Sequence, residues 1–316
     1  MEKKVLTLIV PAYNEEAALE AFYKETSRVE REMAELCEFE YLFIDDGSKD
    51  STLAIIKKLH AYNRRVHYIS FSRNFGKEAA IYAGLENASG DYVAILDADL
   101  QDPPALLPEM WRAVTEERYD CVGSRRVTRA GEPPIRSFFA RAFYKLINRI
   151  SKAEIVDGAR DFQLMSRKVV DAILSMGEYN RFSKGIFGWV GFKKKWLEYE
   201  NIERVAGETK WSFWSLLKYA VEGIIAFSTA PLMISILLGI ALCAAGFVMA
   251  VVLLVKLIAG APVTAVGGLT LLILLIGGLV MVCIGISGQY LARTYLEVKK
   301  RPIYIISEAE LENSYK

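Results

Sequence analysis

Two short acidic segments contain the residues of this chain that are best suited to chemistry. Residues 45–50 read Asp-Asp-Gly-Ser-Lys-Asp and follow an apolar run at 41–44, and residues 97–104 begin Asp-Ala-Asp and follow an apolar run at 92–96. In an open α/β sheet, ligands bind beyond the carboxyl ends of the strands. Carboxylates there can hydrogen-bond a nucleoside or hold a hard cation that bridges phosphate oxygens. The two segments therefore predict a site for a nucleotide-diphosphate donor.

Each acidic segment also has a purely structural explanation. Asp46-Gly47 is a common turn signal, a following Ser or Asp can cap a helix, and an Asp-x-Asp string arises by chance. Competing nucleotide motifs are missing from the sequence, because no Gly-x-Gly-x-x-Gly opens a helix and Gly76-Lys77 is followed by Glu78. A dehydrogenase and a P-loop ATPase are therefore not expected.

The first 125 residues alternate between strand-like and helix-like patterns. Predicted strands cover residues 5–10, 41–44, 66–70, 92–96 and 120–122, and predicted helices cover 15–33, 51–62, 76–86 and 104–117. In the first helix Leu19, Phe22, Tyr23 and Val29 are expected to face the core. Strands that alternate with helices of about ten to fifteen residues are typical of a mostly parallel sheet.

Two long stretches near the C-terminus carry no charged residue. They cover residues 231–255 and 257–292, with Lys256 between them. About 20 apolar residues span a bilayer core, so region 228–292 is expected to form two transmembrane helices; buried helices of a soluble core are the alternative. Basic residues flank the pair on its outer sides, namely Lys210, Lys218, Arg293, Lys299, Lys300 and Arg301. The positive-inside rule then puts both the N-terminal region and a tail over residues 293–316 in the cytoplasm.

Two further segments have the composition of helices at a membrane surface. Apolar residues recur at helical spacing over residues 135–150 with arginines and a lysine between them, and residues 211–227 are rich in aromatics. The first is expected to lie in the membrane interface, although a helix packed on the sheet with a solvated basic face fits the same periodicity. The second is expected to be a juxtamembrane helix.

Overall charge and cysteine content limit the class of protein further. The formal net charge is +1, which gives no indication of nucleic-acid binding. The four cysteines are scattered, at Cys37, Cys121, Cys243 and Cys283, so neither a metal framework nor a disulfide framework is predicted. Residues 5–10 are too short for a signal peptide. These features fit a reducing cytosol.

Several ordered motifs resemble those of family 2 glycosyltransferases. The general resemblance rests on residues 10–15 (Val-Pro-Ala-Tyr-Asn-Glu), 45–52 and 97–104. The chain is similar in particular to the polyprenyl-phosphate branch, which contains dolichol-phosphate mannose synthases and bactoprenol glucosyltransferases. This narrower resemblance rests on residues 73–77, 123–126, 160–165 and 204–210, with a basic loop at 126–136. It covers nearly the whole chain and implies a GT-A (Rossmann-like) fold for residues 1–210.

The resemblance also implies roles around the donor. The residues expected to line the nucleoside pocket are Pro11, Tyr13, Glu15 and Asp46, with Asp45 in support. Asp97 and Asp99 would hold Mg²⁺ or Mn²⁺ on the donor diphosphate, and Gln101 could add an oxygen ligand.

On the acceptor side, the resemblance implies basic residues and one carboxylate. Arg125 would contact phosphate, Arg136 and Arg141 fit equally well as a second phosphate-contacting arginine, and Lys210 belongs to the same expected acceptor site. Asp161 matches the proposed general base. A lipid phosphate is mostly dianionic at neutral pH and barely needs a base. Asp161 therefore also fits an orienting role, and a structural carboxylate is the remaining alternative.

Two motifs depart from the usual pattern of the branch. Gly-Asp-Phe-Arg-Leu reads Arg-Asp-Phe-Gln-Leu at residues 160–164, so Arg160 is expected to replace the positive charge lost at Gln163. The usual Ser-Lys pair is Thr209-Lys210, a milder change.

The expected function is transfer of one hexose, glucose from UDP-glucose by preference, to undecaprenyl phosphate with inversion at the anomeric carbon. N-acetylglucosamine, mannose and 4-amino-arabinose remain open as the transferred sugar. A processive polysaccharide synthase would carry a Gln-x-x-Arg-Trp motif, which this sequence lacks. A catalytically inactive sugar-nucleotide sensor at the membrane is the alternative outside enzymes. The expected location is the bacterial inner membrane, with self-association and with no nucleic-acid partner.

Overall fold

The computed structural model describes residues 3–127, 156, 158–200 and 265–311, together with scattered residues between 232 and 259. The predicted surface helix over residues 135–150 and the predicted juxtamembrane helix over 211–227 lie outside the described residues. Most of the first predicted membrane span does as well.

Eight strands form one mixed sheet in the order β7-β5-β6-β4-β1-β2-β3-β8. The strands are β1 Lys4–Ala12, β2 Cys37–Asp45, β3 Val66–Phe71, β4 Tyr92–Ile95, β5 Cys121–Arg126, β6 Ala159–Ser166, β7 Lys194–Tyr199 and β8 Ile306–Glu310. β1 is parallel to β2 and β4, β2 to β3, and β5 to β7. β6 runs antiparallel between β4 and β5, and β8 runs antiparallel to β3. The prediction of a mostly parallel sheet is thus correct for β1–β4, but β6 and β8 make the whole sheet mixed.

Helices cover both faces of this sheet. They are α1 Leu19–Glu32, α2 Thr52–Tyr62, α3 Lys77–Asn87, α4 Leu107–Thr115, α5 Arg167–Leu174, α6 Ser183–Trp189 and α7 Ala265–Lys299. Side chains of α1, α2 and α4 share one buried cluster with Leu6, Leu8 and Val10 of β1. Side chains of α3, α5 and α6 share the other cluster with Ile9 of the same strand. Successive residues of a strand point to opposite faces, so β1 contributes to both layers of the core.

The first predicted helix starts later than expected. The sequence predicts a start at residue 15, but α1 begins at Leu19 because the preceding residues bond to the acidic loop that begins at Asp45 instead. The backbone N–H of Glu15 donates to Thr52 Oγ1, and that of Glu16 donates to Asp50 Oδ2. This correction places Glu15 on a loop at the carboxyl edge of the sheet.

Of the segment predicted as a tail, residues 293–316, the described residues up to 311 take part in the fold. Its first residues continue α7, which ends at Lys299, and residues 306–310 form β8 on the edge of the sheet. Tyr304 stacks on Phe71 with ring centroids 4.9 Å apart and donates its hydroxyl hydrogen to Glu86 Oε2. Within the described part of the chain, we find no helix that combines the length and the apolar character needed to cross a bilayer.

Candidate active site

The predicted site residues of the N-terminal half gather at one edge of the sheet. β1 is parallel to both of its neighbours in the sheet, β2 and β4, so the carboxyl ends of the three strands lie side by side. The edge therefore brings together the loops that follow Ala12, Asp45 and Ile95. These loops contain the three motifs on which the general resemblance depends.

The first two of these loops interlock through hydrogen bonds. Asn14 donates its backbone N–H to Ser48 Oγ over 3.0 Å and accepts the backbone N–H of Lys49 at its side-chain oxygen over 2.9 Å. Its backbone has φ +54°, a left-handed conformation that Asn tolerates better than most residues. The structure thereby fixes Pro11, which is buried, and Tyr13 and Glu15, which are half-buried, beside the Asp45–Asp46 turn.

Asp45 and Asp46 are both buried and their carboxylates accept hydrogen bonds from fixed donors. Asp45 accepts the hydroxyl of Ser70 over 2.7 Å and the backbone N–H of Ser48 over 3.1 Å. Asp46 accepts the backbone N–H groups of Phe75, over 2.6 Å, and Gly76, over 2.9 Å. Burial raises the pKa of Asp46 to about 6, although these two amides act in the opposite direction. Asp45 thus supports the loop, whereas its support of a nucleoside pocket and the contact of Asp46 with a nucleoside stay predictions.

Gly47 is required at the turn between these loops. Its φ is +67°, and a Cβ atom built there would lie 2.4 Å from the carbonyl carbon of Arg73. The backbone of residues 73–76 can approach the acidic loop only because this side chain is missing.

A second cluster of carboxylates lies beyond β4 and on β6. Asp97 follows β4, and Asp161 lies on β6, the neighbour of β4 in the sheet. The ammonium of Lys77, at the first position of α3, lies 2.8 Å from Asp97 Oδ2 and 2.5 Å from Asp161 Oδ2. The structure therefore joins the predicted metal ligand and the predicted base through one lysine that had no predicted role.

The surroundings of Asp161 favour its ionised form. Burial alone would raise the pKa of Asp161, but the nearby charges of Lys77, Lys184 and Arg160 outweigh it and hold this pKa well below its usual range. Burial likewise opposes the charge of Lys77, and the carboxylates of Asp161 and Asp97 nevertheless raise the pKa of Lys77. A carboxylate with a low pKa is a weak base at neutral pH. This environment supports the orienting role of Asp161 over proton abstraction.

The second carboxylate of the Asp-x-Asp motif is more enclosed than the first. Asp99 is 7 % exposed, whereas the side chain of Asp97 is 22 % exposed. Asp99 accepts the backbone N–H of Gln101 at Oδ1 over 3.1 Å. Among the described residues no three His, Cys, Asp or Glu side chains come together as a metal-binding group. Mg²⁺ is commonly held by one or two carboxylates plus substrate phosphates, so Asp97 and Asp99 fit the implied metal. The ammonium at Asp97 shows that this oxygen already accepts a cation.

Arg160 does not serve as a free positive charge. Its Nε lies 3.0 Å from Asp102 Oδ1, and Asp102, which is 1 % exposed, also accepts the hydroxyl of Tyr199. Its Nη2 donates to the side-chain oxygen of Gln101 over 3.4 Å, so the predicted metal ligand Gln101 bonds an arginine in this structure. A buried carboxylate balances the charge of Arg160, which also acts on Asp161, so the expectation that Arg160 replaces a lost positive charge stays a prediction.

The missing arginine at Gln163 is compensated from a different strand. Gln163 is buried on β6, and its side-chain oxygen accepts a hydrogen bond from Lys194 Nζ of β7 over 2.9 Å. β5 separates these two strands in the sheet, so sequence reasoning had no local signal for this pair.

The predicted acceptor residues are described only in part. Arg125 lies at the carboxyl end of β5 with a partly exposed side chain, and its Nη1 is 3.4 Å from Glu198 Oε1. Arg136, Arg141 and Lys210 lie outside the described residues, so their roles stay predictions.

Helix α6 is anchored beside the carboxylate cluster by another residue without a predicted role. Glu78, next to Lys77 on α3, accepts both the backbone N–H and the hydroxyl of Ser183 at the start of α6. This bond sets the position of Lys184, whose charge acts on Asp161. The only sequence signal for these residues was the inclusion of Lys77 in the motif at residues 73–77.

Comparisons with known proteins agree with the geometry. The family model described as glycosyl transferase family 2 matches residues 7–174. The chain is 43% identical over 311 residues to a prophage bactoprenol glucosyl transferase homolog of Escherichia coli strain K12, covering 96% of this chain and 99% of the relative. It is 42% identical over 314 residues to the bactoprenol glucosyl transferase of Shigella phage SfII, covering 98% and 99%.

Solved structures with some similarity are more distant. One is the mannosyltransferase PcManGT from Pyrobaculum calidifontis in complex with GDP-Man and Mn²⁺, with 16% identity and a TM-score of 0.47 over 71% of this chain and 63% of that chain. Another is glucosyl-3-phosphoglycerate synthase from Mycobacterium tuberculosis with Mn²⁺, UDP-glucose and phosphoglyceric acid, with 18% identity and a TM-score of 0.45 over 71% and 78%. No conclusion about this chain follows from likeness at these TM-scores.

Proposed function

Because the chain belongs to glycosyl transferase family 2, in the branch that acts on polyprenyl phosphates, we propose that it transfers glucose from UDP-glucose to undecaprenyl phosphate. The mixed α/β sheet with its acidic loops at the carboxyl edge is the GT-A (Rossmann-like) arrangement that the resemblance implied. The proposal of glucose and of the lipid acceptor is supported by relatives that are named bactoprenol glucosyl transferases.

The observation that carries the proposal is the pairing of Asp97 with Asp161 through Lys77, at the edge of the sheet where the loop of Asp97 and Asp99 follows β4. Asp97 and Asp99 would hold Mg²⁺ or Mn²⁺, which when bound neutralises the charge that develops on the leaving diphosphate. Asp161 lies on the adjacent strand and shares Lys77 with Asp97. In this proposal Asp97 marks the donor side of the edge, and Asp161 marks the neighbouring position for the acceptor.

The residues of this edge suit a direct displacement at the anomeric carbon. The second pKa of a phosphate monoester is about 6, so the lipid phosphate is mostly dianionic at neutral pH and can attack without losing a proton. Attack from the side opposite the leaving diphosphate inverts the anomeric centre. Since the pKa of Asp161 lies well below its usual range, its carboxylate stays charged and can orient cationic groups beside the acceptor. Arg125 would contact phosphate at the end of β5.

We also propose that the enzyme acts at the cytoplasmic face of the bacterial inner membrane, as a self-associating protein. The support is in the sequence, which has two uncharged stretches, at residues 231–255 and 257–292, and basic residues on their outer sides. The amphipathic segment at residues 135–150 would lie in the headgroup region and offer Arg136 or Arg141 to the acceptor phosphate. Lys210 would lie at the same acceptor site, close to the first span.

The test is a transfer assay with the full-length protein in vesicles that contain undecaprenyl phosphate. Radiolabelled UDP-glucose, UDP-N-acetylglucosamine and GDP-mannose are supplied separately, with Mg²⁺, with Mn²⁺ or with EDTA. We expect label in the lipid fraction from UDP-glucose when a divalent cation is present, and none with EDTA. Label from a different donor alone would overturn the proposed sugar. Donor binding by calorimetry without transfer from any donor would indicate a sugar-nucleotide sensor.

A further inference from the structure

Lys77 occupies a position that the fold defines closely. It is the first residue of α3 and follows Gly76, whose φ is +100°. The backbone N–H of Gly76 is held by the carboxylate of Asp46 over 2.9 Å. The backbone of the loop that ends at Lys77 is therefore held in place. The lysine side chain extends from there to Asp97 and Asp161.

The pairing of Lys77 differs from the other ion pair at this edge. The side chain of Lys77 is 40 % exposed, and its partners Asp97 and Asp161 are 22 % and 20 % exposed. In the pair of Arg160 with Asp102, the carboxylate is only 1 % exposed. Water and small ions can thus reach the Lys77 contacts, whereas the Arg160 pair is enclosed. Another cation can therefore reach the carboxylates that the ammonium of Lys77 contacts.

Asp97 is also the more exposed carboxylate of the expected metal pair. The ammonium of Lys77 and a divalent cation would therefore compete for the same carboxylate oxygen atoms. A divalent cation on Asp97 would repel an ammonium that lies 2.8 Å from Asp97 Oδ2. The second contact of Lys77, to Asp161 over 2.5 Å, gives the displaced ammonium a partner on the acceptor side.

We propose that Lys77 is a positioning residue that occupies the metal position at Asp97 in the donor-free enzyme, and that metal binding breaks its contact with Asp97 while its contact with Asp161 remains. This inference rests on the proposed function for the identity of the metal site. It has two consequences. Lys77 weakens the binding of a bare metal ion, and after its contact with Asp97 is broken its positive charge stays at Asp161, on the side where the lipid phosphate arrives.

The test measures Mn²⁺ binding directly, through the electron paramagnetic resonance signal of free Mn²⁺ during titration of the full-length protein in detergent. Wild type is compared with Lys77→Met, which removes the ammonium, and with Lys77→Arg, which keeps the charge. Lys58→Met is the matched control, because Lys58 is exposed on α2 and has no role in the site. Titrations are run without nucleotide and again with UDP present.

We expect Lys77→Met to bind Mn²⁺ about five- to tenfold more tightly than wild type, since a competing cation of a partly exposed pair has been removed. Lys77→Arg and Lys58→Met should stay within about twofold of wild type. At saturating Mn²⁺ and donor, Lys77→Met should still transfer glucose more slowly, with a raised apparent KM for undecaprenyl phosphate. Tighter metal binding combined with slower transfer cannot result from a general loss of structure.

Unchanged or weaker Mn²⁺ binding in Lys77→Met, with and without UDP, would overturn the inference. Lys77→Gln provides the same measurement if the Met variant does not fold, because Gln removes the charge but can still donate a hydrogen bond. The inference and the proposed function fail separately. If wild type transfers no sugar but Lys77→Met binds Mn²⁺ more tightly, only the proposed function is wrong.

Discussion

The two acidic regions of the site are held in place by different kinds of donors. At the Asp45–Asp46 turn, the carboxylates accept hydrogen bonds from backbone amides and a buried hydroxyl. In the second region, the carboxylates of Asp97 and Asp161 share the ammonium of the Lys77 side chain. Backbone donors cannot leave without unfolding the loop, whereas an ammonium can be replaced by another cation. The first region therefore defines the shape of the site, and the second can exchange its cation.

The largest effect is expected when Asp99, a carboxylate of the proposed metal site, is removed. Asp99→Ala should lower transfer by about 10³-fold or more, because electrostatic stabilisation of the leaving diphosphate is lost. Calorimetry with UDP and Mn²⁺ should show that metal-dependent UDP binding is abolished, while the thermal midpoint changes little. Asp171→Ala, at an exposed position of α5, should leave both properties unchanged. Metal-dependent UDP affinity that survives in Asp99→Ala would show that this carboxylate does not hold the metal.

The next largest effect is expected at the Asp45–Asp46 turn, whose carboxylates accept backbone hydrogen bonds. It should appear as a loss of protein stability. Gly47→Ala places a methyl group 2.4 Å from the Arg73 carbonyl carbon at a left-handed φ, and should lower the free energy of unfolding by about 2–4 kcal/mol. Gly177→Ala is the control, since its Cβ would have open space, and should change it by less than about 0.5 kcal/mol. Thermal unfolding measured by circular dichroism would compare the two, and equal midpoints would show that the turn tolerates a side chain.

A smaller effect follows from the raised pKa of Asp46, which is about 6 in the folded protein against an ordinary value of 3.8 for an aspartate. The folded state binds the proton more tightly, so this group makes the protein more stable as the pH falls from 7.5 towards 4.5. The free energy of unfolding of wild type relative to Asp46→Asn should rise by about 2 kcal/mol over that range.

Urea unfolding of both proteins at the two pH values measures this difference. Asp91 provides a control, because burial raises its pKa but Lys4, the backbone N–H of Val5 and Arg167 together outweigh burial and lower it. Both the folded and the unfolded state keep Asp91 ionised between pH 7.5 and 4.5, so the stability of wild type relative to Asp91→Asn should change by less than about 0.2 kcal/mol over that range. A difference for Asp46→Asn that does not vary with pH would contradict the raised pKa.

The smallest effect is expected from a single support of the turn. Ser70→Ala removes the hydroxyl that donates to Asp45 over 2.7 Å, while the backbone N–H of Ser48 still donates to the same carboxylate. The free energy of unfolding should fall by about 1–2 kcal/mol, and UDP binding should weaken only slightly. Ser175→Ala, at an exposed serine, is the control for both measurements. A loss as large as that of Gly47→Ala would mean that Asp45 is the main support of the turn.

The sequence predicts the elements that have a clear pattern of their own. β1 to β4 and α1 to α4 lie close to the predicted ranges, because each alternates or repeats apolar residues with the period of a strand or a helix. β8 was missed, since Ile306–Glu310 contains two glutamates and is exposed for most of its length at the sheet edge. β6 was noticed as a motif, but its position between β4 and β5 depends on pairing with distant residues.

The same limit applies to the site. The acidic residues and their position at strand ends follow from sequence, because both are local features. The contact of Lys77 with Asp161 joins residues 84 positions apart, and that of Arg160 with Asp102 joins residues 58 positions apart. Contacts of this kind are decided by strand order. A sequence pattern could indicate the chemistry of these residues but not which of them would become partners.

The edge strand β8 has a consequence for the order of events during synthesis. It pairs with β3, and the nearby hydroxyl of Tyr304 bonds a glutamate of α3 that lies 218 positions earlier in the chain. At about 5–20 residues per second, β3 leaves the ribosome on the order of ten to fifty seconds before β8. During that interval the edge of β3 is an open template for foreign strands. The nascent sheet is therefore complete only after α7 has been made, and the edge of β3 stays unpaired until then.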